Sequence, residues 1–432
     1  MPQYKWANFE KTLCAIFCFS RIALFAITLL KPVGFDYGAH ISIVNQMCEG
    51  MTLTYDGYYS SHPPLAFLLA AWIKSAFHLP TVEAIQIVSG GSMLISFYFL
   101  RRTLAALHFL DDPRAILFLY LVSSLPLQVY LCHGINIESV LMAEASAILY
   151  LSVCIRRRLQ IQPAGANDLL NGSTVLLALV MALALITKAS ALLLLPLPVL
   201  ICCTICDTAC LKRGLRTSIS GILIGLALAA PWYTIRSYVV AQPALLPTAR
   251  IYQPSDIAAL KERNENPFAF LARLSLSEPK FVSDLGYHNQ GNIRLQSTWR
   301  DMWYQDRYLG RFAGAPVIIA GFYYVFCSVF FLTGSGLFVL AVLTDQSPWV
   351  RFGISLFSFA AIQLVGLIVF CFCYPTPAGD PAKAMYVAPS TWFIAYALTA
   401  NIGYWPCNRL TQLLLGLIIV PFMLCNHLVP IY

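Results

Sequence analysis

Phe35-Asp36-Tyr37-Gly38-Ala39-His40, a short amphipathic run, and then Tyr55-Asp56-Gly57-Tyr58-Tyr59-Ser60-Ser61-His62-Pro63-Pro64-Leu65 follow directly on the first apolar span of this chain. The apolar stretch Pro64 to Phe77 comes next, and how it is read decides the architecture. It is short, opens with Pro-Pro and carries Lys74. Counted as a full membrane span, it puts Arg101-Arg102 and Arg156-Arg157-Arg158 outside. Treated as a juxtamembrane or re-entrant helix, it leaves the N-terminus, Arg101, Arg102, Arg114, the triple arginine, Lys212, Arg213, Arg216, Arg351 and Arg409 all inside. Short loops rich in Lys and Arg stay on the cytoplasmic side, so the second reading is selected: eleven spans, N-terminus in, C-terminus out.

Composition agrees with that frame. Apolar residues make up 59% of the 432 and charged residues only 11%, where soluble domains carry about 25%. Apolar runs of roughly 17–25 residues recur along the chain, which is the length of a membrane-spanning helix. The period-two alternation of an outer-membrane barrel is absent from the sequence. The expected fold is therefore an all-α polytopic membrane protein. Spans are expected at 12–30, 83–101, 115–132, 137–155, 173–187, 189–206, 216–236, 316–343, 350–373, 384–400 and 409–429. The run Leu13 to Leu30 lacks a small-residue cleavage site and reads as a span, not a cleaved signal. Three parts are expected: an N-terminal transmembrane module, 1–240, with a first external loop at 31–82; an external loop subdomain, 241–315; and C-terminal transmembrane helices, 316–432. The net charge of +8 lies at helix ends, which fits topology and excludes a nucleic-acid footprint. No internal repeat is visible, and many secondary transporters are built from two similar halves.

On this topology the polar groups inside the apolar frame gather on the outer face. Asp36 stands just beyond the first span, with His40 four residues on and on the same helical face. A carboxylate there suits a general base, and it equally suits a cap on the helix that follows. Tyr55 belongs to the same island. His62-Pro63-Pro64-Leu65 makes a rigid entry into the juxtamembrane segment, because proline restricts both itself and its predecessor. Glu138 and Glu144 open and enter an apolar span preceded by His133 and Asn136, and Lys188 lies between two apolar runs. Charges within spans cost about 2.5–3.5 kcal/mol at the helix centre, so they point to function and to a partner. For Glu138 and Lys188, near the interface, snorkelling is the alternative. Glu144 lies deeper, either paired with a base or protonated. Lys383 and Tyr386 flank the last outer turn. The fourteen cysteines are scattered; Cys202, Cys203, Cys206 and Cys210 have one metal-like spacing, but a soft lipid-facing run is the blander reading.

Taken in order, these residues resemble the integral-membrane glycosyltransferases of the GT-C superfamily, in the branch of aminoarabinose transferase and the protein O-mannosyltransferases. Five patterns carry the resemblance: Asp36 and the amphipathic helix to Met47, then Gly50; His62-Pro63-Pro64-Leu65; His133-Gly134-Ile135-Asn136-Ile137-Glu138; Leu185-Ile186-Thr187-Lys188 and an apolar run with Pro196; and Pro231-Trp232-Tyr233 leading through Arg236 into the long loop. The resemblance implies transfer of a sugar from a polyprenyl-phosphate donor to a lipid, glycan or protein acceptor on the extracytoplasmic face, with inversion. For a bacterial protein that membrane is the inner one. Asp36 would be the catalytic base, Lys188 and His62 would contact the carrier phosphate, and Glu138 would hold sugar or acceptor, with His40, Tyr55, Lys383 and Tyr386 lining the site. The partners implied are the lipid-phosphate donor, the acceptor and membrane lipids, with no nucleic acid. A divalent metal is left open, because Tyr37 stands where many relatives carry a second acid. Met385-Tyr386 replaces the family's Arg-Tyr, with Lys383 two positions early. The competing reading is a transporter or flippase of a lipid-linked saccharide. It requires a polar path across the membrane, toward which Glu144 alone leans.

Overall fold

A computed structural model describes residues 6–29, 37–52, 54, 62–161, 171–205, 208–239, 299, 302, 317–373, 384–401 and 409–428. The described chain is a set of packed helices: α1 Trp6–Thr28, α2 Tyr37–Cys48, α3 Leu65–Phe77, α4 Thr81–Ala106, α5 Pro113–Ser124, α6 Pro126–His133, α7 Glu138–Ile161, α8 Gly172–Thr187, α9 Pro196–Ile205, α10 Thr208–Val239, α11 Val317–Thr344, α12 Pro348–Cys373, α13 Thr391–Ala400 and α14 Arg409–Leu428. Two 3₁₀ segments, Ala189–Leu194 and Ala384–Ser390, precede α9 and α13. The helices fall where the apolar runs predict them. By length and composition, five described helices are able to cross a membrane, or six if α5 and α6 form one span bent by 51°. That measure does not return the eleven expected spans. The regions at 173–187, 189–206 and 384–400 are short or broken helices, and α1 carries Glu10, Lys11 and Arg21. Of the expected loop subdomain at 241–315, only Trp299 and Met302 are described. The Trp299 indole donates to Ser328 Oγ on α11 at 2.8 Å.

The segment that decides the topology is a 13-residue helix, α3. At 1.5 Å per residue it is about 20 Å long, short of a hydrocarbon core of about 30 Å. Its buried face, Ala66, Phe67, Ala70 and Ala71, joins Ile43, Val44 and Met47 of α2, Ile85 and Val88 of α4, and Ile135, Ile137 and Val140 in a small hydrophobic cluster separate from the main core. Helix α2 ends at Gly50, whose φ of +91° is a left-handed conformation that a side chain disfavours. Lys74 is not buried against lipid. Its ammonium donates to Asn45 Oδ1 at 2.6 Å and Thr81 Oγ1 at 2.9 Å, tying α3 to α2 and α4. A layer of two amphipathic helices thus lies over one end of the spanning helices.

Helices α4 and α7 run side by side in the same direction. Polar contacts mark the register: Gln86 Nε2 to the His133 carbonyl at 3.2 Å, Ser89 Oγ to the Asn136 carbonyl at 3.3 Å, Ser96 to Ser146 at 2.8 Å, and Arg102 to Tyr150 Oη at 3.3 Å. Small residues let helices approach closely. A side chain at Gly353 would run into the Tyr396 ring, and one at Gly225 into Met181 and the Ala178 carbonyl. At the far end of α4, the Arg101 guanidinium grips Glu10 of α1 through two bonds of 2.6 and 2.8 Å, and Tyr120 Oη donates to the Glu10 carbonyl at 3.1 Å. Glu10 is buried, so this fork satisfies a carboxylate that would otherwise be costly.

The α5–α6 bend has a local cause. Pro126 has no N–H and forces Leu125 out of the helical region, to φ −58° and ψ 142°. The break strands carbonyls in an apolar setting, where an unsatisfied one is expensive. Arg21, buried in the middle of α1, donates its Nη2 to the Ser123 carbonyl.

Candidate active site

The turn His133-Gly134-Ile135-Asn136-Ile137-Glu138 is built to present Glu138. Asn136 Oδ1 accepts from the Ser139 N–H at 2.9 Å, capping the first turn of α7. Its Nδ2 donates to the carbonyls of Gly134 at 3.0 Å and Leu131 at 3.2 Å, fastening the end of α6 to the start of α7. A side chain at Gly134 would crowd Tyr130 and Asn136. Glu138 therefore stands in the first turn of α7, where the helix dipole favours negative charge.

Lys188 comes from the opposite direction. Helix α8 stops at Thr187, and Lys188 is extended, with φ −159° and ψ 140°, before the 3₁₀ turn begins. The Leu185 carbonyl, left open at this break, is taken up by Tyr233 Oη at 2.7 Å, and at the end of the 3₁₀ turn the Leu193 carbonyl accepts from Gln363 Nε2 at 3.0 Å. The break swings the Lys188 side chain out of helical periodicity and onto Glu138, with which it forms a buried ion pair. Glu138 is 5% and Lys188 7% exposed, so water screens the pair little. The Lys188 ammonium also lies 4.5 Å from the centroid of Tyr386, a cation–π contact that holds it from a second side. Phe370 of α12 braces Tyr386 edge-on at 5.7 Å.

His40 joins this group. Its Nδ1 lies 3.3 Å from the Ile135 carbonyl, in the turn that presents Glu138, and its ring packs on Phe67 of α3 at 5.5 Å. His62 is half-buried at the entry to α3, above buried Pro63 and Pro64. Four predicted site residues (His40, Glu138, Lys188 and Tyr386) thus meet at the end of the bundle covered by α2 and α3. Asp36, Tyr55 and Lys383 lie outside the described residues, as do Cys206 and the Arg236 side chain. Among the described residues, no group of three or more His, Cys, Asp or Glu is placed to hold a metal ion. Cys202 and Cys210 face different partners, Ser218 Oγ and the Leu159 carbonyl, and Cys203 is exposed.

Of the two alternatives for Glu144, pairing with a base is not found among the described residues: Thr187 Oγ1, one residue before Lys188, donates to its Oε1 at 2.8 Å. Thr187 Oγ1 is also 2.9 Å from the Leu183 carbonyl, and its one proton serves one acceptor at a time. Glu144 therefore braces the end of α8 next to the ion pair. Sequence reading missed Thr187, and it missed Arg21, although an arginine inside an apolar span was a visible signal. Nothing in the local sequence pointed to Gln128, whose Nε2 donates to Thr391 Oγ1 at 2.9 Å and ties α6 to the segment carrying Tyr386.

Compared with solved structures, the chain is similar in fold to ArnT from Cupriavidus metallidurans bound to undecaprenyl phosphate, at 17% identity and a TM-score of 0.54, over 95% of this chain and 63% of that one. It is also similar to the apo oligosaccharyltransferase of Archaeoglobus fulgidus, at 11% identity and a TM-score of 0.51, over 97% and 56%. The oligosaccharyltransferase AglB of the same organism, in complex with an inhibitory peptide and a dolichol-phosphate, gives 11% and 0.50, over 97% and 55%. The chain thus spans between about half and two-thirds of the length of these proteins. No protein-family model and no curated protein sequence matches it. At these identities the likeness shows a fold shared with these proteins.

Proposed function

We propose that this protein is a glycosyltransferase that moves a sugar from a polyprenyl-phosphate donor to a lipid, glycan or protein acceptor at the extracytoplasmic face, with inversion. The observation that carries the reading is the buried Glu138–Lys188 pair, roofed by Tyr386, at a helix break under the α2–α3 layer. A structural ion pair does not require a broken helix or an aromatic clamp. A site that handles a phosphate-linked lipid benefits from both, because they hold one cation in place before the ligand arrives. The neighbours in fold add support: ArnT holds undecaprenyl phosphate and AglB a dolichol-phosphate.

In this reading Asp36 takes the proton from the acceptor nucleophile as that atom attacks the anomeric carbon. The bond to the carrier phosphate breaks on the opposite side, and negative charge grows on the phosphate oxygen. Lys188 has three N–H donors, of which Glu138 takes one, and the others serve that phosphate together with His62. Glu138 holds Lys188 in position and contacts sugar or acceptor. His40, Tyr55, Tyr386 and Lys383 line the site. The test is transfer from a radiolabelled polyprenyl-phosphate sugar by the purified chain, with mass analysis of envelope lipids and glycans to name acceptor and sugar. Asp36→Asn is expected to abolish transfer while leaving membrane insertion unchanged. Wild-type turnover in that variant overturns the assignment. Movement of a lipid-linked saccharide across vesicles without any transfer would establish the flippase reading instead.

A further inference from the structure

At the opposite end of α4 and α7 from Glu138 and Lys188, three guanidinium groups converge on one cavity. Arg102 comes from the last turns of α4, and Arg157 and Arg158 from the last turns of α7; Ala105, Ala106, Tyr150, Cys154 and Ile161 complete its walls. The cavity holds about 490 Å³, and among the described residues no carboxylate lines it. Arg102 lies across Tyr150, with its Nη2 donating to the phenol oxygen at 3.3 Å and its guanidinium carbon 5.8 Å from the ring centroid. This fixes the plane of the guanidinium while leaving further N–H donors to the cavity.

Arginines at the ends of spanning helices need no ligand to explain them, since topology and the helix dipole both favour them there. Arg102 and Arg157 are themselves exposed, as snorkelling side chains are. Here, however, three arginines border a common void, one is oriented by an aromatic ring, and the void has the volume of a head group, not of a water. The contrast with Arg101 beside it is informative. Arg101 spends its fork on Glu10 at 2.6 and 2.8 Å, whereas among the described residues Arg102 donates to a neutral phenol. Toward the bilayer from Arg102, α4 presents exposed apolar side chains: Tyr98, one turn before it, is 53% exposed and Ile95 49%. A phosphodiester seated among the arginines would therefore have its acyl chains beside residues already suited to lipid.

We infer that this cavity is a binding site for the head group of an anionic phospholipid. It is separate from the Glu138–Lys188 site and does not depend on the transferase reading. The experiment is native mass spectrometry of the full chain in detergent, with phosphatidylglycerol or phosphatidylcholine added. Phosphatidylglycerol is expected to be retained, and phosphatidylcholine not. Each arginine near an anionic lipid contributes about fivefold in affinity, so Arg157→Gln should lower phosphatidylglycerol retention about fivefold. The triple variant Arg102→Gln/Arg157→Gln/Arg158→Gln should lower it by about a hundredfold. Equal retention of the two lipids, or unchanged retention in the folded Arg157→Gln chain, overturns the proposal. Loss of the bound lipid on adding inorganic phosphate marks a general anion site and overturns the assignment to lipid.

Discussion

Replacing Lys188 by methionine removes the only cation paired with Glu138 among the described residues and leaves a carboxylate that is 5% exposed. At hydrogen-bonding separation and an effective dielectric of about 20, the attraction lost is about 4–5 kcal/mol. Breaking one side of buried pairs costs about 3–5 kcal/mol, because the orphaned charge keeps its desolvation penalty. Little discount for solvent screening applies, since the two side chains are 8% and 6% exposed. Lys188→Met should therefore destabilise the protein by about 3–5 kcal/mol, and Glu138→Gln, which orphans the ammonium instead, by a similar amount. The double variant Lys188→Met/Glu138→Gln removes both charges together, and should cost less than about 2 kcal/mol. The assay is a double-mutant cycle by equilibrium unfolding in mixed detergent–SDS micelles, read by tryptophan fluorescence, with the transfer assay run in parallel. A favourable coupling of several kcal/mol is expected, together with loss of transfer in all three variants. Single variants within about 0.5 kcal/mol of wild type would mean that water reaches the pair and screens it, and the preorganised cation at the helix break would fall with it. Full stability restored in the double variant without activity is the pattern that separates a functional pair from a structural one.

Two further outcomes follow from the same site. Asn136→Ala deletes the α7 cap and leaves the Leu131 and Gly134 carbonyls without their donor; a loss of about 1–3 kcal/mol is expected in the same unfolding titration, with reduced transfer because Glu138 loses its fixed presentation. Glu144→Gln keeps an acceptor for Thr187 Oγ1, so stability should stay within about 1 kcal/mol of wild type and transfer should persist. Complete loss of transport in that variant, in a chain that transports but does not transfer, would favour a membrane-crossing polar path through Glu144.

The elements that the chain announced for itself are those with local physical causes. Apolar runs of spanning length can be read without knowing what packs on them, and the helices α4, α7, α10, α11 and α12 fall where those runs lie. Excess positive charge at one set of helix ends was equally local. It reduced Pro64–Phe77 to a short covering helix, and α3 has that length and place. Glu138 and Lys188 stood out because charge inside apolar sequence is expensive, so each demanded a partner.

Which partner each would find was not written locally. Glu138 and Lys188 are fifty residues apart, and their meeting depends on α8 breaking at Thr187 while Asn136 caps α7. Snorkelling to the surface was the alternative open to either residue alone. Burial under α2 and α3 is what makes a pair the cheaper solution. Arg21 is the same lesson reversed: its use comes from a carbonyl on a different helix, stranded by Pro126 more than a hundred residues away. The cavity among Arg102, Arg157 and Arg158 exists only because α4 and α7 run parallel and end together. Sequence alone determined that the chain is a set of apolar helices with a polar face, since transfer free energies add residue by residue. Tertiary structure decided which charges neutralise one another and which gather around a cavity. Electrostatic energy depends on distance and on the surrounding dielectric, and both are set only when the helices pack.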